Sequence, residues 1–286
     1  MHDRVGIGWR PELAASIFSN LDKIDLVEII ADDLFSAPKG IIRSIETLST
    51  QVPITLHGVG MGLASIEPVE DFRFERMAKL VQRLQPDCWS EHLAFVRAGG
   101  YEIGHLAAPP RTKENILGAI QNIERAKQII GSAPILENIA TLIDPPCSEM
   151  SESAWVNEIL TSTSTSLLLD LHNLYANALN FGHSPEDYLL SFPLEKVRIV
   201  HLSGGHWIKE PSGRGMRLLD DHIHDVPNDV FELLKLLSQK TTQPLTVILE
   251  RDGSYPDFDV LLSQVSRARD ALAQGKEVSE AIGAAI

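Results

Sequence analysis

Six side chains able to hold a metal ion, His57, His92, Glu137, Asp170, His201 and Glu250, each close a short apolar run of this chain. A single His or Glu in such a place is usually a satisfied group at a loop edge. Six in succession are harder to explain that way, because burying several ionisable groups together is costly without a compensating cation. Two further stretches extend the set: Asn173 follows Asp170 in Asp170-Leu171-His172-Asn173, and Asp220 and His222 stand in Asp220-Asp221-His222-Ile223-His224. Both stretches are expected as loops, and an Asp-x-His unit there can present a carboxylate and an imidazole to one ion. One ion takes about six ligands, so these nine candidates imply a multinuclear centre. Imidazole and carboxylate without thiolate suit iron, manganese or zinc, and the residues alone leave that choice open. Cys88 and Cys147 are too few for a disulfide framework or a four-thiolate zinc site.

Such a set needs a scaffold that gathers strand ends. The apolar runs Val5–Trp9, Leu26–Ile30, Ile54–His57, Cys88–His92, Ile135–Glu137, Leu167–Asp170, Val197–His201 and Leu245–Glu250 are short and nearly continuous, as parallel strands covered on both faces are. Helix-like segments alternate with them: Asp71–Leu84, a helix capped by Thr112 and running to Ile130, Val226–Gln239 and Pro256–Ala273. Eight alternations predict an α/β chain folded as a single (β/α)8 TIM barrel, with an open doubly wound sheet as the rival. A barrel gathers its strand C-termini at the face where active sites lie. The barrel is expected over residues 1–274, with 275–286 as a small-residue tail, loosely ordered. Strand alternation puts Cys88, Ser90 and His92 on one face and Glu91 on the other, so Glu91 is expected in a supporting role.

Composition narrows the partners. The 286 residues carry 25 basic and 39 acidic side chains, a formal charge of −14, which argues against a nucleic-acid partner. No run approaches the ~20 apolar residues that span a bilayer, and the start, Met1-His2-Asp3-Arg4, lacks the pattern of a signal peptide. The expected address is cytoplasmic, with no membrane partner. Trp9, Trp89, Trp155 and Trp207 are expected as packing residues. Gly204-Gly205-His206 reads as a close approach to a substrate backbone or as a tight turn. Arg251 and Asp252 either orient Glu250 or pair with each other. His172, His206 and His224 receive no role.

The ordered strings His57-Gly58-Val59-Gly60, Ser90-Glu91-His92-Leu93, Leu136-Glu137-Asn138, Asp170-x-x-Asn173, His201-Leu202-Ser203-Gly204, Asp220-x-His222 and Glu250-Arg251-Asp252 resemble the multinuclear non-haem iron-dependent oxidative enzymes. These are relatives of the methanobactin biosynthesis B subunit. The resemblance runs from Gly6-Ile7-Gly8 to the last helix. It implies a xylose-isomerase-like barrel holding two or three irons. It also implies O2-dependent modification of a ribosomally made precursor peptide, often at cysteine, with a separate leader-binding partner protein. Carried over, the metal ligands are His57, His92, Glu137, Asp170, Asn173, His201, Asp220, His222 and Glu250, and no dedicated protein base is assigned. Two further readings fit the residues. One is a zinc- or manganese-dependent phosphoesterase like endonuclease IV, which acidity and Asn173 oppose. The other is a sugar isomerase, which the lack of a strand-end lysine opposes. A non-catalytic metal-binding scaffold is the bland alternative.

Overall fold

The computed structural model describes residues 2–210, 213 and 215–283. Eight parallel strands form a closed barrel: β1 Arg4–Gly8, β2 Val27–Ile30, β3 Ile54–Gly58, β4 Trp89–His92, β5 Ile135–Glu137, β6 Ser166–Asp170, β7 Val197–Leu202 and β8 Thr246–Leu249, in the order β1-β8-β7-β6-β5-β4-β3-β2. Every expected strand overlaps an observed one. The reason is compositional: Ile7, Ile29, Leu56, Leu136, Leu168, Val200 and Ile248 are all buried, and apolar residues on both faces leave parallel pairing as the way to bury the run.

By contact density the chain divides into two compact units. One draws on residues Leu26–Ile139 and Pro145–Leu168 and holds β2 to β5. Its parallel registers set Leu56 against Trp89, His57 against Ser90, and His92 against Glu137. Its main helices are α1 Lys39–Ser49, α2 Asp71–Leu84, α3 Lys113–Ile130 and α4 Glu152–Thr163. The Thr112 side chain accepts the Asn115 N–H at 3.2 Å as the expected N-cap of α3, and Gly131 ends that helix at φ +86°. The other unit draws on the chain up to Asp25, Ala140–Asp144, and the chain from Leu169 onward. There β7 and β8 pair with His201 against Ile248, and the helices include α5 Leu171–Phe181, α6 Asn228–Lys240 and α7 Phe258–Gly283.

Three local expectations change. The stretch after Asp170 is the first turn of α5 rather than a loop, capped by the Asp170 carboxylate, which accepts the Asn173 N–H at 2.6 Å. Asp220 closes the second strand of an antiparallel hairpin, Gly205–Lys209 with Met216–Asp220, because Gly205 lets the two backbones approach: a Cβ there would collide with the Leu219 carbonyl. Helix α7 continues through most of the expected tail, since Gly275 fits tightly against α6, where a Cβ would strike the Lys235 carbonyl. Residues 284–286 lie outside the described residues. Trp9, Trp89 and Trp155 are buried as expected, whereas Trp207 stands half-exposed on the hairpin.

Candidate metal centre

In the unit that holds β2 to β5, the register places three ligand types together. His57 ends on the partner row of Ser90, and His92 lies opposite Glu137. His57 Nε2 and His92 Nε2 each approach the same Glu137 oxygen, Oε2, at 3.3 Å. All three side chains are buried.

The other ring nitrogens determine what these contacts are. His92 Nδ1 lies 3.1 Å from the Gly58 carbonyl, an acceptor only, so Nδ1 carries the proton and Nε2 presents a lone pair. His57 Nδ1 lies 2.8 Å from the Ser90 hydroxyl, which itself lies 3.4 Å from the Leu56 carbonyl and can donate there, leaving the same tautomer at His57. Two lone pairs thus face a buried carboxylate, an arrangement that calls for a cation between them. Ligands about 2.0–2.1 Å from a tetrahedral ion sit about 3.3–3.4 Å apart, which is the spacing seen. The donor set and its geometry therefore fit a divalent metal, and Ser90 and the Gly58 carbonyl orient the imidazoles, as outer partners of metal-bound histidines do.

Glu91, one residue earlier on β4, is fully buried, and burial pushes its carboxyl up from the usual range. Its Oε1 accepts the His92 N–H at 3.1 Å. A Cβ at Gly58 would overlap this carboxylate, so Gly58 makes room for it. Glu91 thus borders the cluster, and its backbone contact is to His92.

The other unit gathers Asp170, His201 and Glu250, whose ligand atoms lie within 4.8 Å of one another. His201 Nδ1 is 3.1 Å from Glu250 Oε2, and the Glu250 N–H continues the β7 pairing onto the Leu202 carbonyl at 2.9 Å. His222 Nδ1 approaches the same Glu250 oxygen at 3.4 Å, and its Nε2 is 2.8 Å from Asp220 Oδ2. This imidazole therefore has a carboxylate on each nitrogen. Burial pushes the His222 pKa down, but the charges of Asp220 and Glu250 outweigh it and raise it well above the usual value. For Asp220, burial pushes the carboxyl up, yet the His222 charge and hydrogen bonds from His172 and His222 hold it far below its ordinary range.

Helix α5 positions Asp220 at two points. Near its end, the Asn180 amide donates to the Leu218 carbonyl at 2.9 Å and accepts the Leu218 N–H at 2.7 Å, as a neighbouring strand would. In its first turn, His172 Nδ1 meets Asp220 Oδ1 at 2.6 Å, and Ser203 Oγ donates to the same oxygen at 3.2 Å. His172 is buried and had no assigned role in the sequence. Its i+2 spacing from Asp170 was the only available sign. Asn173 is buried in the first turn of α5, and the contact seen to Asp170 is through its backbone N–H.

Arg251 and Asp252 do not pair with each other. Arg251 donates to the carbonyls of Gly253 and Ser254 and to Asp225. Asp252 pairs with Arg10, and its other oxygen lies 3.5 Å from His222 Nδ1. The Arg10 contribution, from the far end of the chain, left no local trace in the sequence.

With the geometry of these clusters in view, comparison with known proteins places the chain. Residues 4–273 match the family described as RiPP precursor modification enzyme MbnB/TglH/ChrH, where RiPP denotes a ribosomally synthesised and post-translationally modified peptide. The chain belongs to this family. Similar curated proteins carry the name UPF0276 protein: one from Streptomyces avermitilis is 34% identical over 93% of this chain and 54% of its own length, and one from Caulobacter vibrioides is 29% identical over 97% of both. The chain thus spans about half of the Streptomyces protein.

Among solved structures, an L-ribulose 3-epimerase superposes with TM-score 0.61 at 13% identity over 98% of both chains. A xylose isomerase-like TIM barrel protein from Mycobacterium smegmatis gives 0.59 at 10% over 98% of this chain and all of the other. Endonuclease IV from Thermus thermophilus gives 0.57 at 16% over 95% and 99%. These likenesses establish the xylose-isomerase-like barrel, the fold expected for the family, and carry no chemistry. Among the described residues, no helix is long and apolar enough to cross a membrane.

Proposed function

We propose that this chain is a multinuclear non-haem iron oxidase that uses O2 to modify a ribosomally made precursor peptide, with cysteine as the reacting residue. The observation that carries the reading is the pair of buried imidazole–carboxylate clusters in a chain of a RiPP-modifying family. His57, His92 and Glu137 would hold one ion, and Asp170, His201 and Glu250 a second. Asp220 and His222, with Asn173, are assigned to a third. Iron, when bound, supplies electron exchange with O2 and a seat for a substrate thiolate.

The chain's own groups do the rest. Ser90 and the Gly58 carbonyl keep the protons of His57 and His92 on Nδ1, so that Nε2 is available to metal. His172 and Ser203 hold the Asp220 carboxylate in one orientation. His222, whose proton Asp220 and Glu250 favour, would have to give that proton up to hold an ion, as metal-binding imidazoles must. No side chain is assigned as a dedicated base. A leader-binding partner protein is assigned the task of presenting the precursor, and the assigned compartment is the cytoplasm, with no nucleic acid or membrane involved.

The test is metal content per chain, by plasma mass spectrometry, on protein purified anaerobically from iron-supplemented cells. Two or more irons per chain, followed by O2 consumption with a cysteine-bearing precursor peptide, support the reading. Zinc or manganese at that stoichiometry, not replaceable by iron, would move the assignment to phosphoester hydrolysis. Folded protein with no bound metal would overturn it.

A further inference from the structure

We propose that His206, Asp221 and His224 form a separate binding site for one divalent transition-metal ion of the zinc(II) or iron(II) type. None of the three belongs to the nine residues assigned above. Their ligand atoms nevertheless lie within 4.8 Å of one another. His206 Nδ1 is 2.5 Å and His224 Nδ1 is 2.9 Å from one oxygen of Asp221, Oδ2, and the two rings stand 5.2 Å apart, tilted by 41°. Two imidazoles and one carboxylate converging on a point are a donor set suited to these ions.

The backbone builds the cluster before any ion arrives. His206 sits on the first strand of the hairpin, paired with Leu219. Asp221 and His224 follow the second strand in a tight turn, in which Asp221 Oδ1 accepts the Ile223 N–H at 3.0 Å and so fixes the carboxylate. Gly204 brings the turn against the hairpin: its carbonyl accepts the His222 N–H at 3.0 Å, and a Cβ on it would overlap the backbone of His224 and Asp225. Gly204 and Gly205 thus bring His206 beside Asp221 and His224. Both imidazoles are partly exposed, with side chains 43% and 48% accessible. Each ring can therefore carry its proton on Nε2 and donate it to water, which leaves the Nδ1 lone pairs for an ion once the two hydrogen-bond contacts to Asp221 open to the ligand spacing of about 3.3–3.4 Å, and water can fill the remaining coordination positions. An ion here would tie the turn to the hairpin and so stiffen the segment that carries Asp220 and His222.

The experiment titrates the chelator-stripped full chain with cobalt(II) or zinc(II) alone under argon. Bound metal is counted after gel filtration, and cobalt absorption and thermal midpoint are recorded. The H206A/H224A variant should bind one equivalent fewer than the unaltered chain and lose part of the zinc-dependent rise in midpoint. H57A/H92A should lose a different equivalent, and the two losses should add in the fourfold variant. H206Q/H224Q, checked by circular dichroism, guards against a folding defect and should show the same loss. Unchanged stoichiometry and affinity in both double variants would overturn the site. So would binding only at millimolar metal, or an equal loss on replacing the exposed His105, which lies outside these clusters among the described residues. Because the H57A/H92A arm is read separately, failure here leaves the iron centre standing, and the reverse also holds.

Discussion

The cluster of His57, His92 and Glu137 and the cluster built around His222 solve the same problem with different means. In the first, each candidate ligand is the last or next-to-last residue of a barrel strand, and parallel register alone sets His92 opposite Glu137 and His57 opposite Ser90. The proton positions follow from a backbone carbonyl and a hydroxyl. In the second, His222 lies in a turn at φ +56°, a conformation most side chains avoid, and depends on Asp220, Glu250 and Asp252 around it. The strand-borne side chains are held by the sheet. The turn-borne ones are held by charge, and by a helix that grips the strand before them.

That contrast can be broken or sharpened by substitution. The largest effect is expected from Glu137→Ala, which removes the oxygen shared by both imidazoles. One metal equivalent should be lost and turnover should fall by at least about 100-fold, read by plasma mass spectrometry and by precursor conversion. If the strand cluster keeps its metal without Glu137, the comparison fails. Ser90→Ala should come next, weakening metal at that cluster by about 10–100-fold through the freed His57 ring, measured by competition with a chelator. His172→Gln should act on the turn-borne side instead. It should lower affinity at Asp220–His222 by about 10-fold while leaving the His57 cluster untouched. Equal losses at both clusters would show that the two are not held independently. Gly205→Ala should destabilise the chain by about 1–3 kcal/mol through overlap with the Leu219 carbonyl, seen as a lower thermal midpoint. Gly40→Ala, where an added Cβ meets nothing within 4 Å on α1, serves as the control and should raise stability by about 0.5–1 kcal/mol.

The clusters differed equally in how far they could be read beforehand. His57, His92, Glu137 and Asp170 could be named because each closes an apolar run, and strand period places such a residue at the end of a buried strand. Glu250 was legible for the same reason, one residue beyond β8. His172 was not, because its role depends on a hairpin strand reaching across to α5, 48 residues later in the chain. The Arg10–Asp252 pair joins residues 242 apart and was equally silent. The hairpin of Gly205–Lys209 with Met216–Asp220 and a second one, Phe95–Ala98 with Tyr101–Ala107, leave no such mark, since their strands are partly exposed and lack the continuous apolar signal of the barrel strands.

The amino-acid sequence by itself determined the eight strands, the caps of helices such as α3, and the residue types that close the strands. All of these rest on local preference and on the alternation of apolar and polar residues along a few neighbours. Only the tertiary structure decided which nitrogen of His57 and of His92 carries the proton, which carboxylate oxygen two imidazoles share, and that Gly204 and Gly205 bring His206 to Asp221. Those outcomes depend on backbone carbonyls and side chains distant in sequence, and local preference carries no information about atoms that only packing brings within a few ångströms.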